Sequence, residues 1–172
     1  YEDLVGSINP ITVIMSENLS INAEFLKTYT LNISSTGDGT GNLLVGNSPV
    51  SLPFTQTYHQ GSAIPLQAQS SLGSTFSEWG QDLSGKTNPT SVTMTNDKNI
   101  SVQFLKLYDL TLNIEPDNSG EVYVNGTKIL DGESQSFTSG ENVNLLASPL
   151  EGYQFIEWSD DFSGEDNNFN VT

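Results

Sequence analysis

The sequence predicts an all-β protein made of tandem, small β-sheet repeat modules of 79 residues, with no substantial helix. Three observations support this fold class. The chain matches itself without a gap when it is shifted by 79 positions. Short stretches of alternating apolar and polar residues recur in each period, as half-buried strands require. Helical periodicity is absent from every longer stretch, so the modules are expected to consist of strands and turns.

The period is defined by landmark residues that recur at the same position in successive repeats. It divides the chain into three parts. Residues 1–26 are predicted to be the C-terminal strands of a preceding repeat, residues 27–105 a complete repeat, and residues 106–172 a repeat that lacks its last strands. The landmark pairs include Trp79 with Trp158, Phe76 with Phe155, Gly61 with Gly140, and Phe25 with Phe104.

The predicted strands follow one another at short intervals. Asn125-Gly126 is a strong signal for a two-residue hairpin turn in the second half of the chain. Residues 104–108 run from the last strand of one repeat into the first strand of the next, so neighbouring repeats should be partly rigid. In chain order, the predicted strands are 29–33, 43–45, 63–68, 75–79, 91–95, 100–104, 108–114, 122–124, 143–147 and 154–158.

The first residue, Tyr1, is not an initiator methionine, so we expect the chain to be a piece of a longer protein. A repeat without its last strands exposes an unpaired sheet edge, which favours association. We therefore expect the chain to dimerise or to exchange strands through residues 11–26.

Composition excludes several classes of function. The chain has 5 Lys, no Arg and 21 acidic residues, giving a net charge of −16, so it cannot neutralise a row of phosphates and is not expected to bind nucleic acid. With no Cys and one His, His59, it has no thiolate nucleophile, no multi-His metal cage and no recognisable triad. No apolar run reaches the roughly 18–20 residues of a membrane span. We therefore predict a protein that is not an enzyme and does not insert into a membrane.

Two groups of aromatic residues are candidates for structure or for binding. Since residues three apart in a strand point to opposite faces, one ring of each Phe/Trp pair should be core and the other covered by a loop. Their recurrence in each repeat favours a structural core role. Exposed aromatic rings can also stack on sugars, and the best candidates for a glycan site lie on the hairpin between the second and third strands. The core set is Phe76, Trp79, Phe155 and Trp158, and the glycan set is Phe54, Tyr58 and Tyr123.

An acidic loop after Trp158 is the only candidate metal site. Carboxylates suit Ca²⁺, a hard cation that takes oxygen ligands. The equivalent loop after Trp79 keeps only one of the four acids, so a calcium site could exist only in the last repeat, and otherwise no cofactor is expected. The four candidate ligands are Asp160, Asp161, Glu165 and Asp166.

Residues 152–158, with residues 88–94 and 98–104, form a pattern that resembles the divergent InlB B-repeat, a bacterial repeat of large exported and surface proteins. The resemblance implies an extracellular or cell-surface location and a non-catalytic role. It favours a stalk or adhesive module whose partners are the neighbouring repeats and a cell-surface or environmental glycan or protein. The alternative is a glycan-binding accessory region of a secreted polysaccharide-acting enzyme.

Overall fold

The computed structural model describes residues 10, 12–161, 163–165 and 167–171, and these residues form strands and turns without a helix. The all-β fold class is therefore confirmed. No helix in this part of the chain offers a stretch long and apolar enough to span a membrane. The strands are β1 (Thr28–Thr36), β2 (Gly41–Val45), β3 (Ser48–Val50), β4 (Phe54–His59), β5 (Ala63–Ser70), β6 (Ser74–Gln81), β7 (Thr90–Thr93), β8 (Lys98–Thr111), β9 (Gly120–Val124), β10 (Thr127–Ile129), β11 (Ser134–Thr138), β12 (Val143–Pro149) and β13 (Asn168–Val171).

The first unit, from β1 to the first half of β8, is a small sandwich of two four-stranded sheets. One sheet has the order β4-β1-β8-β6 and the other the order β3-β2-β5-β7. Within the first sheet β1 and β8 are parallel, with Ile33 opposite Ile100, and the other neighbours are antiparallel. Both sheets supply side chains to one core, which contains Leu31, Ile33, Leu43, Val45, Ile64, Leu66, Ala68, Trp79, Val92, Met94, Ile100, Val102 and Phe104.

The second unit, from the second half of β8 to β13, repeats only part of this arrangement. Its sheet β10-β9-β12-β13 corresponds to β3-β2-β5-β7 of the first unit. The other sheet is represented by β11 paired with the second half of β8. Its core is accordingly smaller and consists of Leu112, Val122, Val124, Phe137, Val143 and Leu145.

Tight turns connect the hairpins of both units. Asn125 and Gly126 both have positive φ, 49° and 78°, and join Val124 to Thr127 in the β9–β10 hairpin. This is the backbone that a type I′ turn requires, so the hairpin predicted from Asn-Gly is confirmed. The first unit uses Gly46 and Asn47, the same two residue types in reverse order, at φ 59° and 66°.

Two predicted strand regions are not strands in this chain. Residues 154–158 form only an isolated bridge between Trp158 and Gly164. Of residues 1–26, which were predicted to contain strands, residues 10 and 12–26 form none, and residues 1–9 and 11 lie outside the described residues. In the first unit β6 obtains its ladder from Ile100–Lys106 of β8, and the residues 79 positions later would be numbered beyond 172. Among the described residues, the segment 12–27 likewise pairs with no equivalent of β1 or β6. A segment becomes a β-strand only when neighbouring strands hydrogen-bond to it, so sequence periodicity alone could not predict whether these two regions are strands.

Candidate functional site

A β-bulge places the rings of Phe76 and Trp79 on the same side of β6. The ladder with β8 shifts register between Phe76, opposite Phe104, and Glu78, opposite Gln103, so one residue of β6 is extra. The ring centroids of Phe76 and Trp79 lie 5.2 Å apart at an interplanar angle of 52°. The prediction that the two rings point to opposite faces is wrong. In a regular strand residues three apart point to opposite faces, but the extra residue in the bulge brings both rings to the same face.

Trp79 is the centre of the first core. Its side chain is 2% exposed, and its indole Nε1–H donates a hydrogen bond to the carbonyl oxygen of Thr87 at 3.0 Å. This bond ties the loop after β6 back to the strand. In the second unit the Phe155 and Trp158 rings keep the same 5.2 Å separation, while Trp158 is only half-buried against the second core.

Phe54 and Tyr58, two of the glycan candidates, lie on β4 and face the core. They pair with Ile33 and Tyr29 of β1, and both pack as half-buried residues against the first core. Removal of the phenol from water raises the pKa of Tyr58 above its ordinary value. Their rings are therefore held against the interior and do not form an open stacking surface.

Tyr123, the third glycan candidate, lies in the second unit on the outer face of β9, between the inward-facing Val122 and Val124. Its hydroxyl donates a hydrogen bond to Glu121 Oε2 at 2.7 Å, and Lys128 Nζ donates to Glu121 Oε1 at 2.6 Å. The structure therefore separates Tyr123 from Phe54 and Tyr58 and instead groups it with two charged side chains, which the sequence analysis did not identify.

Hydrogen bonds among the three groups shift the pKa of each of them. The Lys128 and Tyr123 hydrogen bonds lower the pKa of Glu121 below its ordinary value. The Glu121 carboxylate raises the pKa of Tyr123 and that of Lys128. Near neutral pH this outer face thus presents a neutral phenol, a carboxylate and an ammonium group side by side. The first unit has Asn42, Leu44 and Pro49 at these positions, so the group is specific to the second unit.

The acidic loop has no metal-binding geometry among the described residues. Asp160, Asp161 and Glu165 are exposed, and no set of three or more His, Cys, Asp or Glu side chains converges in the part of the chain that the structure describes. The fourth candidate, Asp166, lies outside the described residues. Calcium binding stays a prediction.

The junction between the units is built by β8, which serves both. Its first half pairs with β1 and β6 and its second half with β11. At the change of partner, the Leu107 amide donates to the Gly73 carbonyl and the Ser139 amide to the Lys106 carbonyl, both at 2.9 Å. The backbone ladder therefore passes from one unit to the next without a linker.

Asp38 adds a side-chain contact across the same junction. Its carboxylate Oδ1 accepts a hydrogen bond from the Lys106 amide at 3.1 Å. This bond and one from the Ser139 side chain lower the pKa of Asp38 below its ordinary value. Asp38 belongs to the β1–β2 loop of the first unit and Ser139 to the β11–β12 loop of the second. Sequence could not identify this contact, because the two residues are far apart in the chain and, although Asp38 recurs as Asp117, the counterpart of Ser139 is Gln60.

The fold and the shared strand define a tandem all-β repeat protein whose units are joined by continuous β-structure. Comparison with protein-family models identifies the family to which these repeats belong. The family model of the divergent InlB B-repeat domain matches residues 29–107 and again residues 110–172. The chain belongs to this family, as the resemblance predicted. Comparisons with curated proteins and with solved structures gave no match to this chain.

Proposed function

We propose that this chain is a non-catalytic stalk segment of a bacterial surface or secreted protein, which holds its neighbours at a fixed distance. The observation that carries the proposal is β8, a strand of 14 residues that closes one sandwich and opens the next. Membership of the divergent InlB B-repeat family supports the location, since such repeats occur in exported and surface proteins.

A shared strand is a stiff joint. To bend at Lys106–Leu107 the units must break the hydrogen bonds that flank this position and release the Asp38 carboxylate. A unit of this size has a radius of gyration of about 12 Å. Repeated joints of this kind would therefore convert many small units into a long projection. The net charge of −16 adds repulsion between units and keeps such an array extended and soluble.

The stalk proposal is tested by making the joint flexible. Two glycines inserted between Lys106 and Leu107 should let the units reorient independently, because the strand can no longer pair continuously. Small-angle X-ray scattering should then show a broader distance distribution, and NMR relaxation should show separate tumbling of the two units. The matched control inserts two glycines beside Gly132, in the exposed turn before β11. Native units that already tumble independently would refute the stalk.

A second candidate function is glycan binding at the outer face of β9, which the Tyr123–Glu121–Lys128 group supports. An aromatic ring beside a carboxylate and an ammonium group offers a surface for a sugar ring and hydrogen-bonding partners for its hydroxyls. In this proposal Tyr123 stacks on the sugar, whereas Phe54 and Tyr58 only support the core.

A glycan array screened with the chain tests the second candidate. Tyr123→Ala should abolish any binding, and Tyr108→Ala is the control, since Tyr108 is an exposed tyrosine of β8 in the same unit. An array without signal, or a signal that both variants keep, would leave the stalk as the only proposed role. The same array with calcium and with chelator tests the acidic loop.

A further inference from the structure

The second unit contains an open cleft where the first unit holds its last strand. A cavity of about 220 Å³ lies between the β8–β9 loop, the end of β12 and residues 153–158. Apolar cavities of about 150 Å³ take up benzene, so a phenyl ring fits this volume. The lining includes Ile114, Gly120, Val122, Ala147, Phe155 and Trp158.

In the first unit the corresponding space is filled by Phe104 of β8. Phe76, the counterpart of Phe155, pairs with Phe104, and Leu43, Ala68 and Trp79 share its core. The Phe104 ring lies against Gly41 so closely that a Cβ added to this glycine would be 2.3 Å from the ring. Gly120, the counterpart of Gly41, lines the open cleft, where an added Cβ would have the Ser148 carbonyl oxygen as its nearest neighbour at 3.1 Å.

The same chain carries a second copy of the strand that fits this cleft, and this copy belongs to no sheet, although the carbonyl of its last residue, Lys27, accepts a hydrogen bond from the Gln60 amide. Residues 20–27 correspond to residues 99–106 of β8, with Ile21, Ala23 and Phe25 in the places of Ile100, Val102 and Phe104. The β8 residues are fully buried, whereas Ile21 is 62% exposed and Phe25 is 92% exposed. An apolar strand face of this kind is unusual on a soluble surface unless a partner covers it.

We propose that residues 20–27 of a second copy of this chain bind as a strand in the cleft of the second unit, with Phe25 in the cavity. The 79-residue period sets the register: Ile21 lies opposite Leu112, as Ile100 lies opposite Ile33, and Phe25 lies opposite Phe155, as Phe104 lies opposite Phe76. The exposed loop 115–118 must move, because Pro116 stands where Gly37 lies against the Phe104 carbonyl.

Within these 172 residues, only another copy can supply the docked strand. Lys27 is followed at once by β1, so a bound strand places the donor's first unit directly after the acceptor's second unit, as β8 joins the two units within one chain. The first unit already precedes the second in its own chain and cannot also follow it. Such a contact is head-to-tail, and it generates rings or open filaments. The charge of −16 on each copy opposes association, so salt should strengthen it.

The test is the oligomeric state of the 172-residue chain, measured by sedimentation velocity and light scattering over a range of concentration and salt. We expect a series of head-to-tail oligomers that grows with both. Phe25→Ala should weaken association by about 30-fold or more, the lower bound for an interface hot spot. The control is Ile14→Ala: Ile14 is 86% exposed, but its counterpart Thr93 points outward, so this variant should associate normally.

A variant of the acceptor side completes the test. Gly120→Ala places a Cβ where the Phe25 ring must lie, so it should also abolish the oligomers while circular dichroism shows the native strand content. A synthetic peptide of residues 19–27 should dissociate the oligomers and change Trp158 fluorescence, and its Phe25→Ser form should do neither. A chain that stays monomeric at high concentration and high salt, or equal effects of Phe25→Ala and Ile14→Ala, would overturn the proposal.

Discussion

At the scale of single residues, the structure depends on a few side chains that join separate parts of the chain. Trp79 joins β6 to the loop that follows it, through packing and through its indole hydrogen bond to Thr87. Asp38 joins the first unit to the second. The landmark spacing predicted the importance of Trp79, because it recurs as Trp158. Asp38 also recurs, as Asp117, but this recurrence did not reveal its role, which depends on the Lys106 amide and the Ser139 side chain that only the folded chain brings near it.

Replacement of Trp79 by alanine should cost about 3–5 kcal/mol of unfolding free energy, as for other large-to-small core substitutions. Trp158→Ala is the matched control and should cost clearly less, because the Trp158 ring borders an open cavity and is only half-buried. Urea unfolding followed by far-UV circular dichroism measures both. Equal losses would mean that the second core is as complete as the first.

Asp38 makes the junction sensitive to acid. Its pKa is lowered in the folded chain by the hydrogen bonds from Lys106 and Ser139, so the carboxylate stabilises the junction at any pH above its unfolded value. This contribution is lost as the pH falls below about 4 and through the folded pKa.

Asp38→Asn should therefore flatten the decline of stability in this acid range relative to the native chain. The pH profile of the unfolding midpoint measures the effect. Glu17→Gln removes the same charge from an exposed site and serves as the control. If both variants alter the profile equally, the effect belongs to net charge and Asp38 has no specific role.

At the scale of elements, periodicity identified the strands that form the cores and missed those that depend on their neighbours. Alternation marks β1, β5 and the first half of β8, which carry buried residues at every second position. It does not mark β4, because the polar Gln56, opposite Leu31, stands between Phe54 and Tyr58 on the inward face of this strand. The bulge in β6 was also invisible, because one extra residue changes the facing of a strand without any compositional signal.

The β9–β10 hairpin gives an element-scale prediction. Gly126 has a φ of 78°, a conformation that costs an L-residue with a side chain roughly 1–2 kcal/mol. Gly126→Val should destabilise the second unit by about this amount. Gly126→Asn should be nearly neutral, because the first unit has Asn47 at the same turn position with a φ of 66°. Thermal unfolding of the two variants distinguishes these outcomes, and a tolerated valine would contradict the turn assignment.

At the scale of the whole molecule, two copies of one fold differ in completeness. Strands β5 and β12 occupy the same position in their sheets, but in the part of the chain that the structure describes no counterpart of the paired β6–β8 ladder covers β12. In repeat proteins stability is the sum of unit and interface contributions. The sequence predicted the period and the truncated last unit, and the boundaries 27–105 and 106–172 stay predictions. The contacts at the junction required the three-dimensional arrangement.

Amide hydrogen exchange should reveal this difference in the native chain at low concentration, where copies do not associate. Amides of β12 should exchange faster than the equivalent amides of β5, by about tenfold for each 1.4 kcal/mol of lost stability. The comparison is internally controlled, since both strands have the same two kinds of neighbour. Equal protection of β5 and β12 would show that the units open as one cooperative block.

The shared strand also restricts how such a chain can change its length during evolution. The inward-facing residues of β8, Ile100, Val102 and Phe104 for the first core and Leu110 for the second, all lie at even positions of one uninterrupted strand. A single inserted or deleted residue between Phe104 and Leu110 would turn every following side chain to the wrong face. An exchange of one whole 79-residue period, in contrast, preserves this alternation wherever the crossover falls, because each residue is replaced by its counterpart one period away.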